Sequence, residues 1–340
     1  MALEVWAGRL EEGDFPAWNE LVEGSPDGSL YSTTRYLEVL GQATGGRFSI
    51  VAARLGDELA GGVGLFESDS RWGAYVAPRP LLYYNGVVQR RYATKYPSEQ
   101  TSRHLKASAA IASALKERCY ARLSLHCRSS FTDARPFLAA GFKASPQYSY
   151  VVDVRRLETA WSRVEQNLRR LVTRCEHEGM TVADDEDFDA FYRLHAATLD
   201  RKAAPTYLPE AAFRTYFETL RGEGLCRLYH ARLPGGRAVA SQLVLLGPHK
   251  VSHSVAAAAD VAFLRSGASA FLRWRVLAAV SALGYEANDL TDAGLNPVTH
   301  FKSQLGGDLH QNLVLEAPQS RWFRVGTSLA GAARRILGGR

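Results

Sequence analysis

The feature that most constrains this 340-residue chain is that it is written twice. The segment Phe48 to Phe66 (FSIVAARLGDELAGGVGLF) reads as an apolar strand, a Gly-Asp turn signal and a second apolar strand, and Cys226 to Leu246 (CRLYHARLPGGRAVASQLVLL) repeats that plan around a Pro-Gly-Gly turn. Ala53-Arg54-Leu55 in the first answers Ala231-Arg232-Leu233 in the second. Lys106-Ala-Ser-Ala109 opens one helical run and Gly267-Ala-Ser-Ala270 opens another, each followed by a short strand. Thr132-Asp133-Ala134 and Thr291-Asp292-Ala293 then stand where N-caps would start two short helices that end at glycine. The three offsets are 178, 161 and 159 residues, so the first half carries about 17 additional residues, around Ala77 to Gln100, between its hairpin and its long helix. A repeated supersecondary pattern fixes an architecture before any single motif does.

Each half reads helix, helix, antiparallel strands, long helix, strand, short helix, strand. That order predicts an α/β fold in which each half is a mixed, mostly antiparallel sheet with flanking helices. The expected boundaries are 1–155 and 156–318, followed at 319–340 by a basic amphipathic helix. There Trp322, Val325, Leu329, Ala332 and Ile336 recur at helical spacing among Arg321, Arg324, Arg334 and Arg335. Such a helix docks on the body of the protein or makes a peripheral membrane contact. In the second half the expected helices are Glu158 to Glu178, Asp187 to Asp200 and Pro209 to Arg221. The expected strands are Cys226 to Arg232, Ala238 to Leu246 and Lys250 to Ala257, then Glu286 to Leu290, a short helix Pro297 to Gln304 and a strand Leu309 to Leu315.

Apolar residues at 46% and charged residues at 22% are those of a folded globular chain, not a disordered one. A formal charge of +6 favours anionic ligands such as phosphorylated cofactors, tRNA or an anionic membrane surface, without choosing among them. The start of the chain lacks a basic cluster followed by an apolar run, and no stretch reaches the roughly 18 apolar residues of a spanning helix, so a cytoplasmic protein is expected. Cys119, Cys127, Cys175 and Cys226 show no ligand spacing, which predicts reduced thiols and no metal site.

From Asn167 to about Leu315 the chain resembles the Fem-type aminoacyl and acyl transferases of the GNAT (N-acetyltransferase) superfamily. The resemblance is carried by the Asn-Leu-Arg-Arg helix closing on Glu-Gly-Met, the Thr198-Leu-Asp-Arg201 helix end, the hairpin, the Gly267-Ala-Ser helix, the Gly284-Tyr-Glu-Ala-Asn-Asp289 strand and the Phe301-Lys302 pair before Gly306-Gly307. The first half fits the family's degenerate N-terminal GNAT-like domain. The resemblance implies two tandem GNAT-like domains, in the short form without the helical arm, and transfer of an acyl group from acyl-CoA to an amine of a cell-envelope, polysaccharide or small-molecule acceptor. Two alternatives stand beside it: an aminoacyl-tRNA-dependent transferase acting on a peptidoglycan precursor, and a non-catalytic GNAT-like binding module. The chain departs from the family in having Val251-Ser-His-Ser254 on a strand where such enzymes often carry a tyrosine.

Amide formation needs an amine nucleophile, a polarised carbonyl with a stabilised oxyanion, and a donor held in line. Lys302 is the candidate for the oxyanion and Phe301 for the pocket wall. Asp289 or His253 are the candidates for the amine proton, with a buried core histidine as the other meaning of His253. Asp292 equally suits a cap for the helix that follows. Arg265-Ser-Gly-Ala-Ser-Ala270 stands where a GNAT enzyme keeps its R/Q-x-x-G-x-G/A loop for the CoA pyrophosphate, so Arg265, Gly267, Ala268 and Ser269 are binding candidates. The alternative is that these small residues pack the helix on the sheet. Arg201 is a further phosphate contact and His300 is of interest for standing beside Phe301. Arg170 and Arg174, with Arg163, line one side of the Glu158–Glu178 helix as either a solvated or a phosphate-binding face.

Overall fold

The computed structural model describes residues 4–295 and 297–318; the expected helix at 319–340 lies outside the described residues. The described residues divide into two units, one of residues 147–311 and one of residues 4–146 with 312–318.

In the first unit β1 (Val5–Arg9), α1 (Phe15–Gly24), α2 (Thr34–Thr44), β2 (Arg47–Leu55), β3 (Glu58–Ser70), β4 (Gly73–Val76), β5 (Val87–Gln89), α3 (Pro97–Glu117), β6 (Arg122–Cys127) and α4 (Arg135–Ala139) follow in order. The next strand, β7 (Lys143–Asp153), passes into the second unit. There it is followed by α5 (Leu157–Arg163), α6 (Gln166–His177), β8 (Thr181–Asp184), α7 (Phe188–Arg201), α8 (Glu210–Gly222), β9 (Cys226–Arg232), β10 (Ala238–Leu245), β11 (Val251–Ala259), α9 (Ala268–Ala282), β12 (Ala287–Asp289) and α10 (Pro297–Ser303). The final strand, β13 (Asp308–Glu316), returns to the first unit.

Both units carry the same topology. In the first, the sheet runs β1-β2-β3-β4-β6 and every pairing is antiparallel except β4 with β6, which flank α3. In the second it runs β8-β9-β10-β11-β12, again antiparallel except β11 with β12, which flank α9. The repeat read in the sequence is thus a repeated fold. The additional residues of the first half form β5, which pairs with β3, and the first turn of α3, which starts at Pro97, ahead of the expected Lys106. Each unit has its own apolar core. Val51, Val63, Ile111, Leu123, Phe137 and Leu315 belong to the first, and Leu168, Val172, Val244, Phe271, Val276 and Leu305 to the second.

Local chemistry sets the element ends. Asp187 caps α7 by accepting from Ala190 N at 3.0 Å, and its other oxygen accepts from Arg232 Nη2 at 2.7 Å. Asp187→Ala is therefore expected to cost about 1 kcal/mol through the lost cap, read as a lower urea midpoint at unchanged slope. The expected helix from Glu158 to Glu178 is two helices. Val164 (ψ 134°) and Glu165 (ψ 140°) are extended, Glu165 N donates to Gln304 O at 2.9 Å, and the buried Val164 side chain enters the core. Asp133 stands one residue ahead of the cap position of α4, which Ala134 occupies without a side-chain cap bond, and accepts from Arg135 N at 3.1 Å. Asp292 caps nothing: α10 begins at Pro297, and Thr291 and Asp292 take left-handed φ values of 50° and 31°. Three cysteines are buried, Cys119 is exposed and all four are free. Among the described residues no helix is long and apolar enough to cross a membrane, and no group of histidine, cysteine and carboxylate side chains is arranged to hold a metal ion.

Candidate functional site

In the second unit β11 and β12 pair over only three residues, Val251↔Ala287, Ser252↔Asn288 and His253↔Asp289, after which β12 ends while β11 continues to Ala259. From there the parallel pair parts and the two strands diverge. The end of α7 is tied to the far end of β11, Ala259 N donating to Thr198 Oγ1 at 3.3 Å. A cavity of ≈ 450 Å³ opens there, bounded by the end of α7 (Thr198, Arg201, Lys202), by β10 and β11 (Ala240 to Gln242, Ala257 to Ala259), by Leu264, by the start of α9 (Ser269, Leu272, Arg273) and by α10 (Val298, Phe301). The size suits a small ligand or the reacting end of a larger one. Three cations line it and no carboxylate does, so it selects for anions.

Behind Phe301 lies Lys302, only 8% exposed. Its ammonium donates to the backbone carbonyls of Thr291 and Asp292, the latter at 2.6 Å. Those are the two residues in left-handed conformation, which costs a non-glycine residue about 1–3 kcal/mol and persists only where neighbours hold it. Asp289 holds the same turn from the other side, its Oδ1 accepting from Thr291 N at 2.7 Å. Its Oδ2 lies 3.8 Å from His253 Nδ1, and both side chains are buried. An ammonium has three donors, two of which serve the turn. Burial, and next the charge of Arg273, lower the Lys302 pKa to about 8 against the opposing pull of Asp292 and Asp289.

Of the residues picked from sequence, Arg201, Ser269 and Phe301 line the cavity, and Lys302, Asp289 and His253 form the buried cluster around the turn behind it. The others do not line it. His300 and Arg170 are exposed, and Arg163 pairs with Asp308 at 3.0 Å. Arg174 donates to the carbonyls of Arg265 and Ser266, so its guanidinium braces the loop. Gly267 serves the approach of α6: a Cβ there would stand 2.8 Å from Leu171 Cβ. Ala268 N is taken by Ser266 Oγ at 3.2 Å. The loop's packing role is the one these contacts carry.

Several lining residues escaped the sequence reading, Arg273 and Gln242 among them. Arg273 follows Ser269 by four residues and so shares its helical face, a spacing the sequence does contain. Gln242 is a lone amide in the apolar run of β10, and a polar side chain inside a buried strand is itself a signal.

Residues 162–329 match the family model described as an acetyltransferase (GNAT) domain. No curated protein matches the chain. Among solved structures it is similar to FemX, at 13% identity and a TM-score of 0.68 over 90% of this chain and 96% of that one. L-PGS from Bacillus licheniformis is similar at 13% identity and a TM-score of 0.60, covering 95% of this chain and 96% of that one. A tandem GNAT protein from the clavulanic acid biosynthesis pathway is similar at 13% identity and a TM-score of 0.54, covering 93% and 99%. Residues 162–329 are thus similar to a GNAT acetyltransferase domain, and the chain has the fold of FemX and of the tandem GNAT protein.

Proposed function

We propose that the protein is an N-acyltransferase whose acyl donor enters the cavity at the β11–β12 fork. The observation that carries this is the convergence of Arg201, Lys202 and Arg273 with the Phe301 wall on one cavity, backed by the buried Lys302. In this reading the three cations hold the phosphates of the donor and Phe301 excludes water from the reacting carbonyl. The donor hydrogen of Lys302 not engaged by the turn stabilises the oxyanion as the amine nitrogen attacks the carbonyl carbon. The bond to the carrier then breaks, and the proton shed by the amine leaves with the departing thiolate or alkoxide. Asp289 and His253, buried away from the cavity lining, act by positioning the Thr291–Asp292 turn and with it Lys302.

The donor proposed is an acyl-CoA and the acceptor an amine of a small molecule or of an envelope precursor. Aminoacyl-tRNA is the second reading, favoured by one observation: Leu171 and Arg174 occupy the loop face where a CoA pyrophosphate would seek backbone amides. Thermal unfolding in the presence of acetyl-CoA tests the first. At about one hundred times the dissociation constant a bound donor adds about 2.7 kcal/mol, raising Tm by roughly 4 °C for a chain of this size. No shift with any CoA thioester, together with transfer destroyed by ribonuclease, moves the reading to aminoacyl-tRNA. Neither result, with Lys302 freely replaceable, leaves a binding module.

A further inference from the structure

Besides Phe301 and its three cations, the cavity at the β11–β12 fork is lined by Ala257, Ala258 and Ala259 of β11, by Leu272 of α9, and by Leu264 and Val298. Leu264 and Val298 are also 46% and 42% exposed, so the aliphatic wall continues from the cavity out to solvent. Val261 extends it. That residue opens the 3₁₀ turn Val261–Phe263 and its carbonyl accepts from Leu264 N at 3.4 Å. Side chains three apart in such a turn eclipse, which sets Val261, 64% exposed, beside Leu264. Val298 and Phe301 are likewise three apart on α10 and share one face of it. Single aliphatic residues scattered over a surface need no explanation, whereas a group of them bordering one apolar cavity marks where a ligand covers them. With Arg201, Lys202 and Arg273 in the same lining, the ligand that fits has an anionic part and an aliphatic part.

Resting on the donor reading above, we propose that the acyl group transferred is a fatty acyl chain longer than acetyl, laid along Val298, Leu264 and Val261. The cations take the phosphates of the donor and Phe301 the carbonyl, so the chain that follows the carbonyl meets Val298 next. An acetyl group ends at its first methyl and leaves the outer wall in water. Each further methylene leaves water for an aliphatic surface, which strengthens binding about fourfold when burial is complete. A hydroxyl or amine on the chain finds no hydrogen-bond partner in the side chains of Val298, Leu264 and Val261, so it sheds water without replacing it. The acyl chain is favoured over a lipid surface or a second copy as the group covering these residues because the wall is continuous with the place where the donor carbonyl reacts.

The test uses the full chain with acetyl-, butyryl-, hexanoyl- and octanoyl-CoA, which differ only in chain length. Calorimetry is expected to show affinity rising about two- to fourfold with each methylene, or roughly 10²–10³-fold from acetyl to octanoyl. The double substitution Val261→Ser with Leu264→Ser, which leaves the charge around the cations as it is, is expected to lower the octanoyl-to-acetyl affinity ratio about tenfold or more. Equal affinities across the series, or a ratio that survives the double substitution, overturn the inference while the donor reading stands on the binding of acetyl-CoA. A flat series together with binding to phosphatidylglycerol vesicles that the double substitution abolishes also overturns it, and assigns these residues to a lipid surface. Absence of binding by all four thioesters overturns the donor reading and the inference together. Should the substituted chain not fold, the series on the unmodified protein decides alone.

Discussion

Replacing Lys302 with methionine is expected to lower amide-forming transfer about 10²–10³-fold with the fold intact, which is the loss typical of one oxyanion donor. Two opposing terms keep the protein folded. A lysine pKa lowered from 10.5 to about 8 marks a buried charge held against a penalty on the order of 3 kcal/mol at neutral pH, which the substitution removes. Against that, the carbonyls of Thr291 and Asp292 lose their donor, at about 1–3 kcal/mol each where buried. The net change is expected within about 2 kcal/mol, measured by urea unfolding beside steady-state kinetics.

The sign of the pH dependence follows from the same shift. Below pH 8 the ammonium is charged in both folded and unfolded chains, so the penalty is present in full. Between about 8 and 10.5 the unfolded chain holds the extra proton, and the folded state gains stability as pH rises. Activity should move the other way, falling on the alkaline side with an apparent pKa near 8 as the oxyanion donor loses its charge. The residual activity of Lys302→Met should lack that limb. Full transfer by the variant, or an unchanged alkaline limb, removes Lys302 from the chemistry.

Gly267→Val carries the largest expected cost in stability, about 3–5 kcal/mol. Gly267 holds φ at +95°, where a β-branched residue is strained by about 1–3 kcal/mol. Its Cβ would stand 2.8 Å from Leu171 Cβ and 3.3 Å from Leu171 O, and overpacking of that kind adds about 1–3 kcal/mol. Gly267→Ala should lose less, since its side chain is not branched. Adding Leu171→Gly to Gly267→Ala should restore part of the loss, since it removes the Cβ and Cδ2 that crowd this position, and a double-mutant cycle in urea reads that coupling. A cycle with no coupling would mean that α6 does not press on this loop.

Much of this protein was legible as text. The two hairpins and the helices that follow them were readable because each rests on local periodicity or on turn chemistry close in sequence, whereas the Phe301-Lys302 pair stood out through the family resemblance. Asp133 and Asp292 show where that stops. They occupy equivalent positions in the two copies, yet Asp133 accepts from Arg135 N two residues on, while Asp292 lies in a left-handed turn held by a lysine ten residues away. The helix expected from Glu158 to Glu178 shows the same limit. Its amphipathic stripe is real, but the hydrogen bond from Glu165 N to Gln304 O is nonlocal and breaks it.

By itself the sequence determined the duplication, the element order and the short list of cations and carboxylates from which a site could be made, because side-chain period and capping act within a few residues. Only the tertiary structure decided which of those residues meet. The early parting of β11 and β12 opens the cavity, and the closeness of Leu171 commits Gly267 to packing. Each of these depends on strand register and helix separation between residues far apart in the chain, and such distances are set by the packing of the whole unit.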